Sequence, residues 1–417
     1  MLKTAGAKGT RSAVNGMRPI LVNQECVEPR LPEGAVLLDF LRRDRRLTGV
    51  KEGCREGDCG ACLVLIGETE GETIRWRAVP SCLYPLSDAQ GRQVVTLEGL
   101  NGRVLTPVQE ALVEEGATQC GFCTPGFVIA LTAYLLNADA PNAAEAERAA
   151  SGNLCRCTGY LSLRRVCARL AERFAPLSGL SRAQRLLRLI EAGVVPAYFS
   201  EIHSRLRAMD QPLPEADPKA VPVGGGTDLF VQRAEKLEQA PLRLLLRHPD
   251  YRGIHREPGG WRIGGATTVE ELAESRDLAK AIPGWASVFP RMASLPIRER
   301  ATVAGNLVNA SPIGDLSILF LAFETTVMLR GPEGDREVPL PRFFLGYKKL
   351  DRAPEETVFA IRVETPPPGA RFHFEKVSRR EHLDIAAVNS AALLTPDGPV
   401  VRHATFSAGG VAPIPLR

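Results

Sequence analysis

Eight of the ten cysteines fall into two compact sets, and no other feature of the 417 residues narrows the fold so far. The first set is Cys54, Cys59, Cys62 and Cys82, with four residues inside the first gap, two inside the second and a longer stretch before the last. That is the plant-type ferredoxin spacing for a [2Fe-2S] cluster. Gly53, Gly57 and Gly60 suit a loop that must visit positive φ and bring backbone N–H groups against sulfur. Structural zinc is the alternative, although zinc sites more often pair two short Cys-x-x-Cys knuckles.

The second set is Cys120, Cys123, Cys155 and Cys157, in the contexts Cys120-Gly121-Phe122-Cys123-Thr124-Pro125-Gly126 and Cys155-Arg156-Cys157-Thr158-Gly159-Tyr160. Each pair precedes a predicted helix, so two positive helix ends would face one anionic cluster. Cys155 and Cys157, two apart in extended backbone, are expected to point to one side and ligate one iron. On spacing alone, zinc and a redox dithiol stay open for this set. Cys26 and Cys167 are left over and are expected to be buried small hydrophobes.

Lysine plus arginine exceeds aspartate plus glutamate by 52 − 48 = 4, with the basic residues scattered, which argues against a nucleic-acid surface. Met1 to Arg18 has no apolar run that could serve as a signal-peptide core. The longest mostly apolar stretch, Phe127 to Leu136, is well short of the roughly 20 residues of a membrane span. A soluble, cytoplasmic chain is expected, in which thiols stay reduced and the cysteines need a purpose other than disulfides.

Strands are predicted at Ile20 to Asn23, Cys62 to Ile66, Thr73 to Val79 and Val94 to Leu97, with a short helix from Gly34 to Arg42. Thr106-Pro107-Val108-Gln109 reads as a capped helix start, and further helices are predicted over Pro125 to Asn137 and Leu161 to Phe174. Strands at Ala220 to Val223, Leu242 to Leu246 and Trp261 to Ile263 then alternate with helices such as Val269 to Glu274. The expected division is a flexible tail 1–17, a ferredoxin-type domain 18–99, a helical domain 100–176, a linker 177–195, an α/β or α+β domain 196–366 and a last subdomain 367–417.

Two segments of the second half have the chemistry to hold a cofactor. Val223-Gly224-Gly225-Gly226-Thr227-Asp228-Leu229 follows a predicted strand and could turn successive N–H groups toward a pyrophosphate; an ordinary glycine turn is the alternative. No G-x-G-x-x-G fingerprint with a downstream acid supports a Rossmann domain. Thr302-Val303-Ala304-Gly305-Asn306, followed by Asp315, offers small residues and then polar ones.

The ferredoxin loop and the two cysteine segments of the second set, in this order, resemble the xanthine dehydrogenase/aldehyde oxidase family of molybdenum hydroxylases, and the likeness runs from about residue 18 to the end. The chain looks like the bacterial-type small subunit of a xanthine dehydrogenase. The resemblance implies an α+β multidomain fold: a β-grasp ferredoxin-like domain, a four-helix [2Fe-2S] bundle, a two-subdomain α/β FAD-binding domain of the vanillyl-alcohol-oxidase type, and a partial C-terminal α+β flavin subdomain. It also implies pyrophosphate contact by Gly224 to Thr227, flavin contacts by Thr302 to Asn306 and a hydrogen bond from the ribityl or adenosine side to Asp315.

Phe374 to Glu381, with Lys376, Arg379 and Arg380, resembles the family's loop over the flavin, and Gly346-Tyr347-Lys348-Lys349 the stretch near its nicotinamide entrance; a solvated charge cluster is the alternative for both. Met292 stands where an aromatic would be expected and Ala304 where glycine is usual. The family's chemistry implies a large partner subunit holding the molybdenum cofactor, a heterotetramer of two small and two large chains, and electron flow from molybdenum through two [2Fe-2S] clusters and FAD to NAD⁺ during oxidation of hypoxanthine or xanthine to urate. Equivalent subunits acting on an aldehyde, nicotinate or a thioester, and a non-catalytic zinc-binding scaffold, are the rival readings.

Overall fold

The computed structural model describes residues 17–209, 217, 219–380 and 382–417. Most of the expected tail 1–17 lies outside the described residues, as do Pro212, Pro214, Pro218 and Glu381; Met17 itself is buried.

The first layer is a mixed sheet of β1 (Ile20–Val22), β2 (Glu25–Val27), β3 (Leu63–Glu70), β4 (Thr73–Pro80) and β5 (Gln93–Val95), in the order β2-β1-β5-β3-β4. β1 and β5 run parallel while the other pairs are antiparallel, as a β-grasp requires. One turn, α1 (Leu37–Asp39), widens into the turn Phe40–Asp44 behind it. Alternation along β3 divides its side chains between two cores: Leu63 and Leu65 join the helical bundle, Val64 and Ile66 join α1 and the second half of the chain. Both faces of this sheet are therefore covered by other parts of the chain.

After α2 (Leu97–Leu100), four helices form a bundle: α3 (Pro107–Glu114), α4 (Thr124–Asn137), α5 (Ala143–Ala150) and α6 (Leu161–Arg173). Thr106 and Gln109 make the reciprocal capping box at the start of α3. α4 is apolar on nearly every side and buried almost throughout, because the sheet packs on one flank and the other helices on the rest.

The segment 177–195, expected as a linker, contains α7 (Arg182–Glu191), which is held against the bundle. Leu189, Val194 and Val195 are buried there, and the Arg185 guanidinium reaches Asp139 at 3.0 Å. α8 (Ile202–Ala208) continues this packing, and Phe199 just before it lies tilted against Trp76 of β4, ring centroids 4.9 Å apart.

The second half of the chain has two parts. In the first, β6 (Val221–Val223), α9 (Leu229–Glu238) and β7 (Leu242–Leu244) make a small parallel βαβ unit. The second contains β8 (Ile254–Glu257), β9 (Gly260–Gly264), β10 (Thr325–Gly331), β11 (Gly334–Pro339) and β14 (Thr357–Glu364) in an antiparallel sheet ordered β11-β10-β14-β9-β8. Its helices are α10 (Val269–Glu274), α11 (Arg276–Ala281), α12 (Trp285–Val288), α13 (Leu295–Arg298), α14 (Val303–Asn309), α15 (Asp315–Leu321) and α16 (Leu340–Phe343). A hairpin of β12 (Phe344–Gly346) and β13 (Lys349–Leu350) projects from it. The last sheet, β15 (Arg371–Val377), β16 (Val388–Asp397) and β17 (Val400–Gly409), is antiparallel and rests on α15. Among the described residues, no helix is long and apolar enough to cross a membrane.

Candidate functional site

The first cysteine loop is shaped by left-handed backbone at Gly57 (φ 81°) and Gly60 (φ 67°). A Cβ on Gly53 would lie 2.8 Å from the Cys59 sulfur, and one on Gly57 would lie 2.6 Å from Ile297 of α13. The sulfurs meet in pairs, Cys54 with Cys59 and Cys62 with Cys82. The Cys59 thiol brings the Cys54 pKa down to about 5, helped by backbone N–H groups of Glu56, Cys59 and Asp58 against the cost of burial. The Glu56 N–H donates to the Cys54 sulfur at 3.3 Å. Cys62 is likewise lowered, chiefly by the Cys82 thiol.

The second set also meets two by two, but not as expected from the extended-backbone argument. Cys157 stands 3.6 Å from Cys120, and Cys155 is within hydrogen-bonding reach of Cys123. The chain bends through Arg156 to Thr158, so Cys155 turns into the protein while Cys157 stays exposed. Each iron would thus take one thiolate from each loop, correcting the assignment of Cys155 and Cys157 to one iron. Burial works against the Cys155 thiolate, yet the Thr158 hydroxyl, 3.2 Å from its sulfur, and the backbone N–H groups of Thr158 and Cys157 lower its pKa. Cys123 is the N-cap residue of α4, and Tyr160 that of α6.

Pairwise grouping is the arrangement a two-iron cluster uses, with two thiolates on each iron. A mononuclear zinc site would instead gather four sulfurs around one point. The donors present fit [2Fe-2S] groups at both positions.

The two loops touch through main chain. The Leu154 N–H donates to the Cys59 carbonyl at 3.0 Å, and the Asn153 amide donates to the Gly60 carbonyl at 3.1 Å. A ligand of one set is therefore one hydrogen bond and one residue from Cys155 of the other. Of the leftover cysteines, Cys167 is buried as expected, whereas Cys26 is exposed on β2, an edge strand whose outer side nothing covers well enough to bury it.

The structure brings the two flavin-type segments together. A Cβ on Gly224 would lie 2.5 Å from the Thr302 hydroxyl, and one on Gly225 would collide with the Arg300 carbonyl, so this loop admits only glycine. Thr302 caps α14, accepting from the Gly305 N–H at 3.1 Å. Val223, Val303 and Ala304 are buried beneath, while Gly305, Asn306, Thr227 and Leu229 are half-buried at the surface of the cradle. Asn306 accepts from the Ser317 N–H at 3.3 Å, and Asn309 donates to Asp228 at 2.7 Å. Burial raises the Asp228 pKa, with Lys348 opposing. A glycine cradle closed to any Cβ, rimmed by hydroxyl and amide groups, fits a dinucleotide-sized cofactor such as FAD.

Asp315 lies farther along. It accepts from Lys376 at 2.7 Å through one oxygen and from Asn389 at 2.7 Å through the other, which ties α15 to the last sheet. Tyr347, Arg379 and Arg380 are all exposed, and Arg380 faces both Asp384 and Asp58 of the first cysteine loop. Met292 is buried in the core of the second part, where its carbonyl accepts from Arg298 at 3.0 Å. Sequence reasoning did not single out Ile297, nor the buried pair Asp88 and Arg300; their partners are too distant along the chain for any local pattern to reveal.

Comparison with known proteins agrees with this geometry. Family models match three successive stretches: a 2Fe-2S iron-sulfur cluster binding domain over residues 21–87, a [2Fe-2S] binding domain over 96–168, and the FAD binding domain in molybdopterin dehydrogenase over 194–366. The chain is 29% identical to xanthine dehydrogenase 1 of Arabidopsis thaliana across 97% of its own length and 35% of that protein. It is also 29% identical to xanthine dehydrogenase of Emericella nidulans, across 97% and 34%. Among solved structures, CO dehydrogenase from Oligotropha carboxidovorans is similar at 31% identity, over 47% of this chain and 68% of that one, with a TM-score of 0.45. The chain spans about a third of the length of the curated relatives it matches. With all three family models in register with the two cysteine sets and the glycine cradle, the chain belongs to the molybdenum hydroxylase family, as the part that carries its two iron–sulfur-binding domains and its FAD-binding domain.

Proposed function

We propose that this chain is the electron-transfer subunit of a cytoplasmic xanthine dehydrogenase, assembled as two small and two large chains, with the molybdenum cofactor on the large partner and NAD⁺ as the final acceptor. When bound, the clusters supply one-electron steps and the flavin supplies hydride transfer to NAD⁺, so that electrons from xanthine oxidation would run from the helical-domain site to the ferredoxin-type site and then to FAD.

The observation that carries the reading is the gradient of exposure across the two cysteine sets. Cys120 and Cys157 open at the surface beside the exposed apolar side chains Phe122, Tyr160 and Leu161, whereas Cys62 and Cys82 are buried toward the flavin-binding half. A partner docking on that apolar rim would meet the helical-domain site first. The Cys59–Leu154 hydrogen bond then joins the two sites, and α13 holds the flavin-binding half against both loops. Asn309, Asp228 and Thr302 would orient the cofactor, and the exposed Arg379 and Arg380 would be the residues to pair with a dinucleotide's phosphates.

Substrate choice would lie with the partner, and the likeness across nearly the whole chain to xanthine dehydrogenases of Arabidopsis thaliana and Emericella nidulans supports xanthine over an aldehyde, nicotinate or a thioester. Co-purification with the large subunit and an assay of xanthine-dependent NADH formation test this. NADH formation with xanthine supports the proposal; turnover confined to one of the other substrates refutes the substrate, and a colourless, zinc-loaded chain without about four irons refutes electron transfer.

A further inference from the structure

A buried ionic network crosses the boundary between the ferredoxin-type domain and the flavin-binding half. At its centre Asp88, almost wholly inaccessible, receives Arg92 at 2.8 Å, Arg247 at 2.9 Å and Arg300 at 2.5 Å. Burial alone would raise the Asp88 pKa; the three guanidinium groups instead hold it far below the usual carboxylate range.

The Arg300 guanidinium is fully engaged. One arm pairs with Asp88, its Cζ lies 4.3 Å from the Tyr84 ring centroid, and Nε and Nη2 both donate to the Gly225 carbonyl, at 3.2 and 3.0 Å. A fork of this kind fixes direction as well as distance. The described backbone has no cis peptide, so in the Gly225–Gly226 unit the N–H points opposite the carbonyl. With the carbonyl drawn toward Arg300, the Gly226 N–H is turned the other way, out of the loop, as an anion-binding nest requires.

We propose that Asp88, a residue of the iron–sulfur domain, is a positioning residue for the flavin: through Arg300 it sets the Gly225–Gly226 peptide that meets the FAD pyrophosphate. This rests on the reading that Gly224 to Thr227 hold that pyrophosphate. Flavin retention is then coupled to the folding of the neighbouring domain, and a chain with an imperfect ferredoxin-type domain would hold FAD poorly.

The test uses the full chain, stripped of flavin and titrated with FAD and separately with ADP, which shares the pyrophosphate. Iron content, visible circular dichroism of the clusters and the melting midpoint of the stripped protein are recorded alongside. Arg300→Lys keeps a cation opposite Asp88 but loses the fork, and Asp88→Asn keeps the shape but loses the charge. Both should bind FAD and ADP at least tenfold more weakly while the cluster signals stay like the parent's; the midpoint should hold in Arg300→Lys and fall in Asp88→Asn, which leaves three buried guanidinium groups short of a counter-charge. If Asp88→Asn loses its clusters, Arg300→Lys decides alone. FAD affinity within twofold of the parent in Arg300→Lys overturns the proposal. Gly226→Ala, strained at φ 80°, separates the two ideas: if it too leaves FAD binding intact, the pyrophosphate reading itself fails; if it alone weakens binding, only the Asp88 coupling fails.

Discussion

Glu299 follows α13 and is packed between β4 and the flavin-binding half, 3.0 Å from Arg77 and 3.9 Å from Arg75. It borders a cavity of about 20 Å³, room for one water. Burial pushes its pKa from 4.5 up to about 7, with the two arginines opposing. Because the folded value exceeds the unfolded one, the folded chain holds more protons between them. The stabilising contribution is complete below the unfolded value and is lost as pH rises through the folded one. At about 1.36 kcal/mol per pH unit, the gap of 7 − 4.5 corresponds to about 3 kcal/mol. Glu299→Gln keeps the shape and stays neutral. It should therefore be more stable than the parent by about 1 kcal/mol near pH 5.5 and about 3 kcal/mol near pH 8, with the parent's downward slope abolished. Urea unfolding of the loaded chain, followed by circular dichroism across that range, reads the difference. A variant less stable than the parent at pH 8 would mean that pairing with Arg77 outweighs the cost of burying the charge, and the reasoning would be wrong.

Gly126→Ala would drive a Cβ into the Gly60 carbonyl where α4 crosses the first cysteine loop, and relief needs a backbone shift that costs about 1–3 kcal/mol; the urea midpoint should fall, and magnetic coupling between the clusters should weaken. Cys120→Ala and Cys157→Ala should alter the same iron, so their electron paramagnetic resonance spectra should resemble each other and differ from that of Cys123→Ala; two different spectra would contradict the pairing. Thr106→Ala removes the capping box of α3 and should cost about 1 kcal/mol by chemical denaturation, leaving both cluster signals intact.

The elements that could be read from the sequence are those defined by neighbours along the chain. The capping box of Thr106 and Gln109, helix α10 at Val269–Glu274 and the membership of both cysteine sets all depend on spacings of a few residues. The partition of sulfurs between irons did not follow, because it depends on how the loop at 119–126 faces the loop at 153–160, and a bend at Arg156 redirects Cys157. The stretch 177–195, flanked by Pro176 and Pro196 and carrying Gly179 and Gly193, reads as a connector, yet its apolar positions Leu189, Val194 and Val195 found a surface on the bundle to cover. Asp88 and Arg300 are 212 positions apart, and nothing near either one announces the other.

α13 is four residues long, yet it serves as a shared plug. Ile297 fills the space beside Gly57, and Pro296 sits so close to Gly152 that a Cβ there would be 2.9 Å from its ring. Exchanging the flavin-binding half for that of a relative would withdraw the packing behind both cysteine loops at once and loosen them together, unless the graft brought side chains of the same size to those two positions.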